Sequence, residues 1–213
     1  MTPLTSFLPL VRSYAPAVPN PVAEQQLRLA AKEFLTRTRL WREPVTVAVT
    51  ANPFVLAPAN TVVVAVERAV FNDTKLVSKV LSDIALDRLG DTGAPENLVQ
   101  MTPESFYLYP FEAGTVTATV FLAPQAGPRF GVAGPTTAQA VQGQVPDFVF
   151  DEHAEAIAFG ALKRIHEMPN QPYTDANAAM SHGGKFETAI ASAKPSYLKG
   201  KQRAPLRTKP QFM

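Results

Sequence analysis

Residues 20–41 read NPVAEQQLRLAAKEFLTRTRLW, and apolar side chains recur in this stretch every three or four positions. Such spacing predicts an amphipathic helix with one buried stripe. Asn20 followed by Pro21 predicts where the helix begins, because Asn is a common N-cap and proline at the first helical position lacks only a donor that has no intrahelical partner. The stripe consists of Leu27, Ala30, Ala31, Phe34, Leu35, Thr38 and Trp41.

Beyond Pro44 the apolar period changes from helical to alternating. Val45, Val47 and Val49 alternate with small or polar residues, and this alternation predicts a half-buried strand. Alternation or a β-branched composition predicts further strands along the middle of the chain. The predicted strands cover residues 45–49, 61–71, 106–111 and 115–122, the last two joined through 112–114.

The links in this region carry signals of their own. Asn72 and Asp73 supply turn chemistry between two apolar runs, which predicts a hairpin. Residues 77–89 have apolar side chains at helical spacing before Gly90, which predicts a short helix that ends at the glycine. Residues 124–146 are rich in Gly, Pro, Gln and Ala without periodicity, which predicts a long loop.

Two further helices are predicted towards the C-terminus. Residues 151–168 and 174–193 show helical periodicity, and residues 169–172 form the turn between them. Thr174 or Asp175 caps the second of these helices. Helices joined by so short a link pack antiparallel. Together with the first helix they predict a bundle core of Leu27, Ala31, Phe34, Trp41, Ile157, Leu162, Ile165 and Phe186.

Both ends of the chain are rich in proline, which is poorly tolerated inside helices. Residues 1–19 therefore predict an extended arm with apolar anchors. From Lys194 onward the chain has six basic residues and no acidic one, which predicts a second, basic arm. The predicted fold class is α+β. A single domain over 1–193 consists of an antiparallel helical bundle with an inserted antiparallel β-sheet region (44–123) and the loop, and an extended basic C-terminal arm covers 194–213.

Composition excludes several classes of protein. The chain has no cysteine, so disulfides, thiolate metal sites and thiol nucleophiles are excluded. No window approaches the ~18 to 20 apolar residues that span a bilayer, and Met1 to Leu10 lacks the basic start of a signal peptide, which predicts assembly in a cytosol. Charged residues make up only 18% of the chain, below the roughly 25% of a typical soluble protein. We therefore expect part of the surface to be buried against partners.

Residues that carry catalysis show no recognisable arrangement. His153, His166 and His182 lack the spacing of zinc ligands, and we interpret them as surface or helix-end residues. The acidic residues over 151–155 lie in the first turns of a predicted helix, where they favour the helix dipole rather than acid–base chemistry. Neither a phosphate-binding loop nor a serine-nucleophile elbow is present in the sequence. We predict that the protein is not an enzyme and needs no cofactor or metal.

Taken in order, the segments resemble the head-to-tail adaptor proteins of tailed bacteriophages, also called connector or tail-tube type A proteins, especially those of short-tailed phages. The likeness extends over nearly the whole chain and lies in packing motifs rather than in a catalytic signature. The residues that carry it are AKEFLTRTRLWR at 31–42, TVFLAP at 119–124, VPDFVFDEHAEAIAFGALKR at 145–164, Met168-Pro169, the helix through Phe186, and the basic RTKPQFM at 207–213.

The resemblance implies a ring, typically of twelve subunits, docked beneath the portal protein at the capsid vertex and facing a tail tube or nozzle protein below. DNA would pass through the lumen without specific binding, and the protein would lie in the virion neck after assembly in the host cytoplasm. The resemblance also implies a fold of bundled helices with β-insertions and a C-terminal arm that clasps the portal. The arm residues so implied are Tyr197, Leu198, Lys201, Arg203, Leu206, Arg207, Lys209 and Phe212.

Two alternatives stay open at this point. The formal net charge is +2, but the basic residues after Lys194 leave the rest of the chain mildly acidic. A basic tail of this kind attracts an acidic protein surface as readily as it attracts nucleic acid. A nucleic-acid-binding module that uses this tail is therefore one alternative, although the body lacks a recognised reading element. An enzyme of unknown type is the other, although no convergent polar constellation supports it.

Overall fold

The computed structural model describes residues 1–80, 82, 90–125 and 143–199, with side chains described through residue 193. Within these residues the chain forms helices and strands in mixed order. The helices are α1 Leu8–Arg12, α2 Asn20–Thr38, α3 Asp147–His166 and α4 Ala176–Lys199, with a 3-10 turn at Leu4–Phe7. The strands are β1 Thr2–Pro3, β2 Arg42–Val49, β3 Phe54–Val55, β4 Thr61–Phe71, β5 Thr74–Lys79, β6 Asn97–Gln100, β7 Ser105–Tyr109, β8 Gly114–Pro124 and β9 Gln144–Val145.

The chain divides into two compact units, each assembled from two segments. The sheet unit consists of Met1–Ser6 and Trp41–Asp147, and the helical unit consists of Phe7–Leu40 together with the chain from Phe148 onward. Each unit therefore combines residues from distant parts of the sequence. The predicted single domain over 1–193 with an arm over 194–213 stays a prediction.

The sheet unit is built on seven strands in the order β2-β8-β4-β5-β6-β7-β3. All neighbours are antiparallel except β5 and β6, which run parallel. The two longest strands, β4 and β8, pair along their length with two irregularities in β4, between Val63 and Ala65 and between Val66 and Arg68. Such bulges bend a strand. Next to the first irregularity, the Val63 amide donates to the carbonyl of Pro103, which belongs to the loop between β6 and β7, at 3.2 Å.

The predicted hairpin at Asn72-Asp73 is confirmed. Phe71 pairs with Thr74, and the two residues between them have positive φ angles of 42° and 69°. Asn and Asp tolerate this region better than other non-glycine residues, and two such residues in succession suit a tight hairpin turn. The Thr115 amide also donates to the Asn72 side chain at 3.1 Å, which ties the turn to β8.

The predicted fold class is wrong. The structure is a mixed α/β fold dominated by the seven-stranded sheet together with four helices in the described residues, and not a helical bundle with an inserted sheet. Several pairings of the sheet join residues far apart in sequence, such as Thr46 of β2 and Thr117 of β8. Periodicity along one strand reveals its burial but not its partner. The sheet was therefore underestimated although most of its strands were recognised.

Two local predictions within this region are also corrected. Residues 77–79 belong to β5 and pair in parallel with Asn97 to Val99 of β6, so the predicted helix over 77–89 does not begin there. Gly90 lies in a turn, and most of the remainder of that helix lies outside the described residues. The strands predicted at 106–111 and 115–122 exist as β7 and β8 but are not neighbours in the sheet. In both cases long-range pairing overrides local spacing.

The N-terminal segment is not an extended arm. Leu4, Phe7, Val11, Ala15 and Val18 are all buried, at spacings of three or four residues. Within the sheet unit, β1 pairs with β9 and the Leu4 amide donates to the Gly143 carbonyl at 3.0 Å. Within the helical unit, Phe7 packs edge-on against Phe150 with ring centroids 4.9 Å apart. Apolar burial therefore orders these residues despite their prolines.

The amino group of Met1 pairs with Asp147 at 2.8 Å, and the Thr2 hydroxyl donates to the same carboxylate at 2.7 Å. The hydrogen bond from the amino group, followed by the one from Thr2, lowers the pKa of Asp147. This exposed carboxylate lies at the first residue of α3, where the helix dipole also favours a negative charge. The first residue of the chain thus contacts the first residue of α3.

The three long helices were predicted in place, with shifted ends. Helix α2 begins at Asn20 as predicted and ends at Thr38, because Arg39 adopts a left-handed conformation with φ 53°. Asp175 caps α4 by accepting hydrogen bonds from the amides of Asn177 (2.9 Å) and Ala178 (3.0 Å). Helix α4 continues through Pro195 to Lys199, so the expectation that residues 194–199 are extended is wrong. The predicted loop over 124–146 is bounded by β8 and β9, and residues 126–142 lie outside the described residues.

Candidate assembly surfaces

All eight predicted bundle-core residues are buried, although they are divided between the two units. Seven of them belong to the helical unit, where their side chains are at most 2% exposed. Trp41 is also buried but belongs to the sheet unit, where its indole N–H donates to Glu43 at 3.1 Å. The seven are Leu27, Ala31 and Phe34 on α2, Ile157, Leu162 and Ile165 on α3, and Phe186 on α4.

Gly160 of α3 lies directly against the ring of Phe186 of α4. A Cβ atom added to this glycine would lie 2.7 Å from the ring of Phe186, closer than real contacts allow. Phe186 is buried, and its ring lies 6.3 Å from that of Phe34 on α2. One aromatic side chain thus fills the space between three helices, and the missing side chain at Gly160 makes room for it. Gly183 and Gly184 of α4 leave more room for a side chain than Gly160 does.

Four charged residues tie the three helices together at their surface. Arg37 of α2 donates to both carboxylate oxygens of Glu187 of α4, at 2.7 Å and 2.6 Å, and to Glu33 at 3.2 Å. Arg164 of α3 donates to the other oxygen of Glu33 at 2.6 Å. The hydrogen bond to Glu187 is the largest cause that raises the pKa of Arg37. Bidentate geometry of this kind fixes orientation, although exposed pairs add little stability.

Two histidines of the helical unit, His166 and His182, are buried. The interpretation of His182 as a surface or helix-end residue is therefore wrong. His182 lies inside α4 and is 6% exposed, and its Nδ1 atom has no hydrogen-bond partner in the described residues. His166, at the end of α3, is equally buried and stacks on His182 with ring centroids 5.6 Å apart. His153 lies against Phe34. The sequence did contain a signal, because Ala179, His182 and Phe186 share one helical stripe.

The predicted portal-binding arm falls mostly outside the described residues. Tyr197 and Leu198 lie in the last turn of α4. The position of the other arm residues is not part of the described structure. Those residues are Lys201, Arg203, Leu206, Arg207, Lys209 and Phe212. Their role as a portal contact therefore stays a prediction.

Strand β2 forms an open edge of the sheet. It pairs with β8 over all eight of its residues, and no described strand pairs with its other side. The Leu122 amide donates to the Trp41 carbonyl at 2.9 Å, so alternation turns the amides of Thr46 and Ala48 towards the open side. Pro44 occupies the same set of positions, where it removes one outward donor. Residues 44–66 contain no charged side chain, although charges commonly guard exposed edges.

A cavity of about 360 Å³ in the sheet unit is lined by residues of β4, β5, β6 and β7 and by Val80. Most of its lining is apolar, with Ser78, Lys79 and Gln100 as the polar contributions. Val80 lines the cavity and is 66% exposed. Val77 of β5 and Met101, which directly follows β6, are exposed as well. The arrangement offers apolar surface and no convergent set of catalytic groups.

Neither a metal-binding cluster nor a membrane-spanning helix occurs in the part of the chain that the structure describes. There, no three His, Cys, Asp or Glu residues lie close enough to hold a metal ion. Among the described helices, none has the length and apolar character needed to cross a membrane. The described residues do offer an open strand edge and exposed apolar side chains, which suit contacts with other proteins.

Comparison with known families decides the class. The family model described as SU10 adaptor protein matches residues 2–209. This chain belongs to that adaptor family. No curated protein matches the chain. The predicted resemblance to phage head-to-tail adaptors is confirmed at the level of a phage adaptor, whereas assignment to short-tailed phages stays a prediction. An adaptor family is a structural one, so the chain is a virion component that associates with other phage structural proteins.

Proposed function

We propose that this adaptor forms a ring, typically of twelve copies, beneath the portal and joins it to a tail tube or nozzle protein, leaving a channel for DNA. The ring lies in the neck of the virion and assembles in the host cytoplasm. The observation that carries the proposal is the family match, which covers both units and reaches into the basic C-terminal segment.

The sheet unit supplies a surface suited to contacts between subunits. The open side of β2 presents backbone donors and acceptors without guarding charges beyond Glu43. An extended segment of a neighbouring subunit that pairs there gains main-chain hydrogen bonds that ask little of its side chains. At the other end of the strand order, Val55 of β3 adds an exposed apolar side chain.

The C-terminal segment is the portal-binding element in this proposal. Helix α4 carries the backbone to Lys199, and the basic residues beyond it include Lys201, Arg203, Arg207 and Lys209, with no acidic residue among them. A segment of one charge sign favours docking on an acidic surface of another protein. The remainder of the chain is mildly acidic. An acidic lumen suits DNA passage, because each contact with a phosphate adds affinity and therefore resistance to sliding.

Removal of residues 200–213 tests this assignment. The deletion leaves α4 intact through Lys199, so the truncated protein should keep its melting temperature but fail to bind a purified portal ring. Light-scattering mass measurement of the chain alone and with the portal reads out both subunit association and docking. A truncated chain that docks as well as the full chain would contradict the role of this segment.

Paired charge substitutions separate a specific arm from general basic attraction. Arg207→Gln with Lys209→Gln removes two charges from the C-terminal segment, and Arg68→Gln with Lys75→Gln removes the same types from exposed positions in the sheet unit. We expect only the first pair to weaken docking to the portal. Equal weakening by both pairs would show that overall charge, rather than the segment, governs association.

A nucleic-acid-binding role of the basic tail makes a different prediction. Affinity for DNA would then fall steeply with salt, because each phosphate contact releases counterions. Fluorescence anisotropy with a labelled duplex over a salt series measures this slope. We expect no measurable binding at about 0.15 M salt, since the proposed channel does not retain DNA. Tight binding at that salt, lost on deletion of residues 200–213, would favour the nucleic-acid-binding module instead.

A further inference from the structure

The buried histidines of the helical unit form a compact stack with two aromatic neighbours. The ring planes of His166 and His182 differ by 13° and their centroids lie 5.6 Å apart. Phe159 stacks on His182 at 5.5 Å and 18°, and Tyr14, from the segment after α1, meets the same imidazole edge-on at 5.2 Å. His182 is therefore the point at which α3, α4 and the segment after α1 come together. We call the pair His166 and His182 the histidine stack.

The Nδ1 atoms of the two imidazoles differ in their hydrogen-bond partners. The Nδ1 atom of His166 lies 2.7 Å from the carbonyl oxygen of Tyr173, and since a carbonyl can only accept, this nitrogen carries the proton. The Nδ1 atom of His182 is buried and has no partner among the described residues. A proton placed there would be a buried donor without an acceptor, which is costly.

The charged groups around His182 act in both directions, with a net effect against its charged form. Burial is the largest cause that lowers the pKa of His182 below its usual value, followed by repulsion from His166 and from Lys185. Asp175, before α4, acts in the opposite sense. Lys185 also lies over the ring of Phe159, with its ammonium 4.8 Å from the centroid. A positive charge on His182 would therefore meet a second cation and another imidazole.

We propose that the histidine stack is an acid-sensitive joint, which holds α3, α4 and the segment after α1 together only while the His182 imidazole is neutral. A proton on His182 would place a positive charge at a buried site beside Lys185, and the carboxylate of Asp175 offsets only part of this effect. Acidification first separates the C-terminal end of α3 from the first half of α4. The sheet unit stays folded. The device is independent of the proposed ring and concerns the stability of the helical unit itself.

The direction of the effect follows from linkage. A histidine whose folded pKa lies below its unfolded pKa binds fewer protons in the folded state, so stability is fully present above the unfolded pKa of roughly 6.5 and declines as the pH falls below it. Each unit of difference between the two pKa values changes the folding equilibrium by about tenfold. The decline should level off once the pH falls below the folded pKa.

Hydrogen exchange followed by mass spectrometry on the full chain tests the joint at peptide resolution. Between pH 7.5 and pH 5, after correction for intrinsic exchange, we expect peptides covering the end of α3 and the first half of α4 to lose protection. Peptides from β8 should keep theirs and serve as the internal control. Equal loss in both units would indicate general acid sensitivity and overturn the proposal.

Substitution assigns the effect to the stack. His182→Gln removes the titrating ring, and the chain should then show a smaller loss of protection on acidification than the natural chain. His153→Gln, which removes the histidine of α3 outside the stack, should leave the loss unchanged. An undiminished loss in His182→Gln would overturn the proposal. Because that variant could fold poorly, titration of the His182 ring by NMR in the natural chain is the second test, and a pKa at or above roughly 6.5 would also refute it.

Discussion

Replacement of Gly160 by alanine should reveal how tightly α3 and α4 pack. The new methyl group would lie 2.7 Å from the Cε2 atom of Phe186 and 2.9 Å from two further ring atoms. Phe186 is 2% exposed and in contact with Phe34, so its ring has little room to move. Overpacking of this kind costs about 1–3 kcal/mol. Alanine also favours a helix over glycine by about 1 kcal/mol.

Gly184 of α4 provides the matched control. A Cβ atom added there meets nothing within 4 Å, so Gly184→Ala has the same gain in helix propensity without the steric cost. We expect Gly184→Ala to stabilise the protein by about 1 kcal/mol. We expect Gly160→Ala to be less stable than that variant by about 1–3 kcal/mol, which is the overpacking cost alone.

Urea denaturation followed by far-UV circular dichroism measures both variants. The double variant Gly160→Ala with Phe186→Leu adds a test of the cause, since a smaller side chain at 186 should reduce the steric part of the cost. The reasoning is refuted if Gly160→Ala stabilises the protein as much as Gly184→Ala does. That result would mean that the ring of Phe186 moves readily to accommodate the added methyl group.

Two further predictions concern the core and the start of α4. Phe34→Ala and Trp41→Ala should each lower the free energy of unfolding by about 3–5 kcal/mol, since both side chains are buried; an unchanged thermal melt would contradict their role in the core. Asp175→Ala should lower the melting temperature through loss of the N-cap, whereas Asp175→Asn should largely preserve it. Hydrogen bonds from the amides of Ala178 and Asn177 lower the pKa of Asp175. The contribution of Asp175 to stability is therefore present above the ordinary aspartate pKa and is lost as the pH falls through the lowered value. An Asp175→Asn chain should lack that acid-dependent component in melts taken between pH 5 and pH 2.

Local chemistry made the helices and turns readable. The stripe from Leu27 to Leu35 predicted α2, Asp175 was one of two predicted caps of α4, and Asn72-Asp73 was placed in a hairpin. Each of these depends on residues within a few positions of one another. The end of α2 was misjudged by three residues because the left-handed conformation of Arg39 has no distinctive residue type to announce it.

Prolines at both ends of the chain led to the wrong prediction of extended segments over 1–19 and 194–199. Pro9 lies in the first turn of α1, where its missing donor has no partner to lose, and Pro195 lies within α4. The N-terminal apolar residues that were interpreted as anchors for other molecules are buried in this chain. Which apolar groups bury one another is a property of the folded chain, so the sequence supplies the anchors without naming their partners.

The amino-acid sequence by itself indicated the adaptor family, the positions of the three long helices and of four strands, and many of the residues buried along the helical stripes. Only the tertiary structure decided that a seven-stranded sheet dominates, that β2 has an open edge, and that His166 stacks on His182. Propensity, capping and periodicity arise between residues close in sequence, where the order of side chains is sufficient. Strand pairing and side-chain stacking join residues far apart, and their outcome depends on the simultaneous packing of the whole unit.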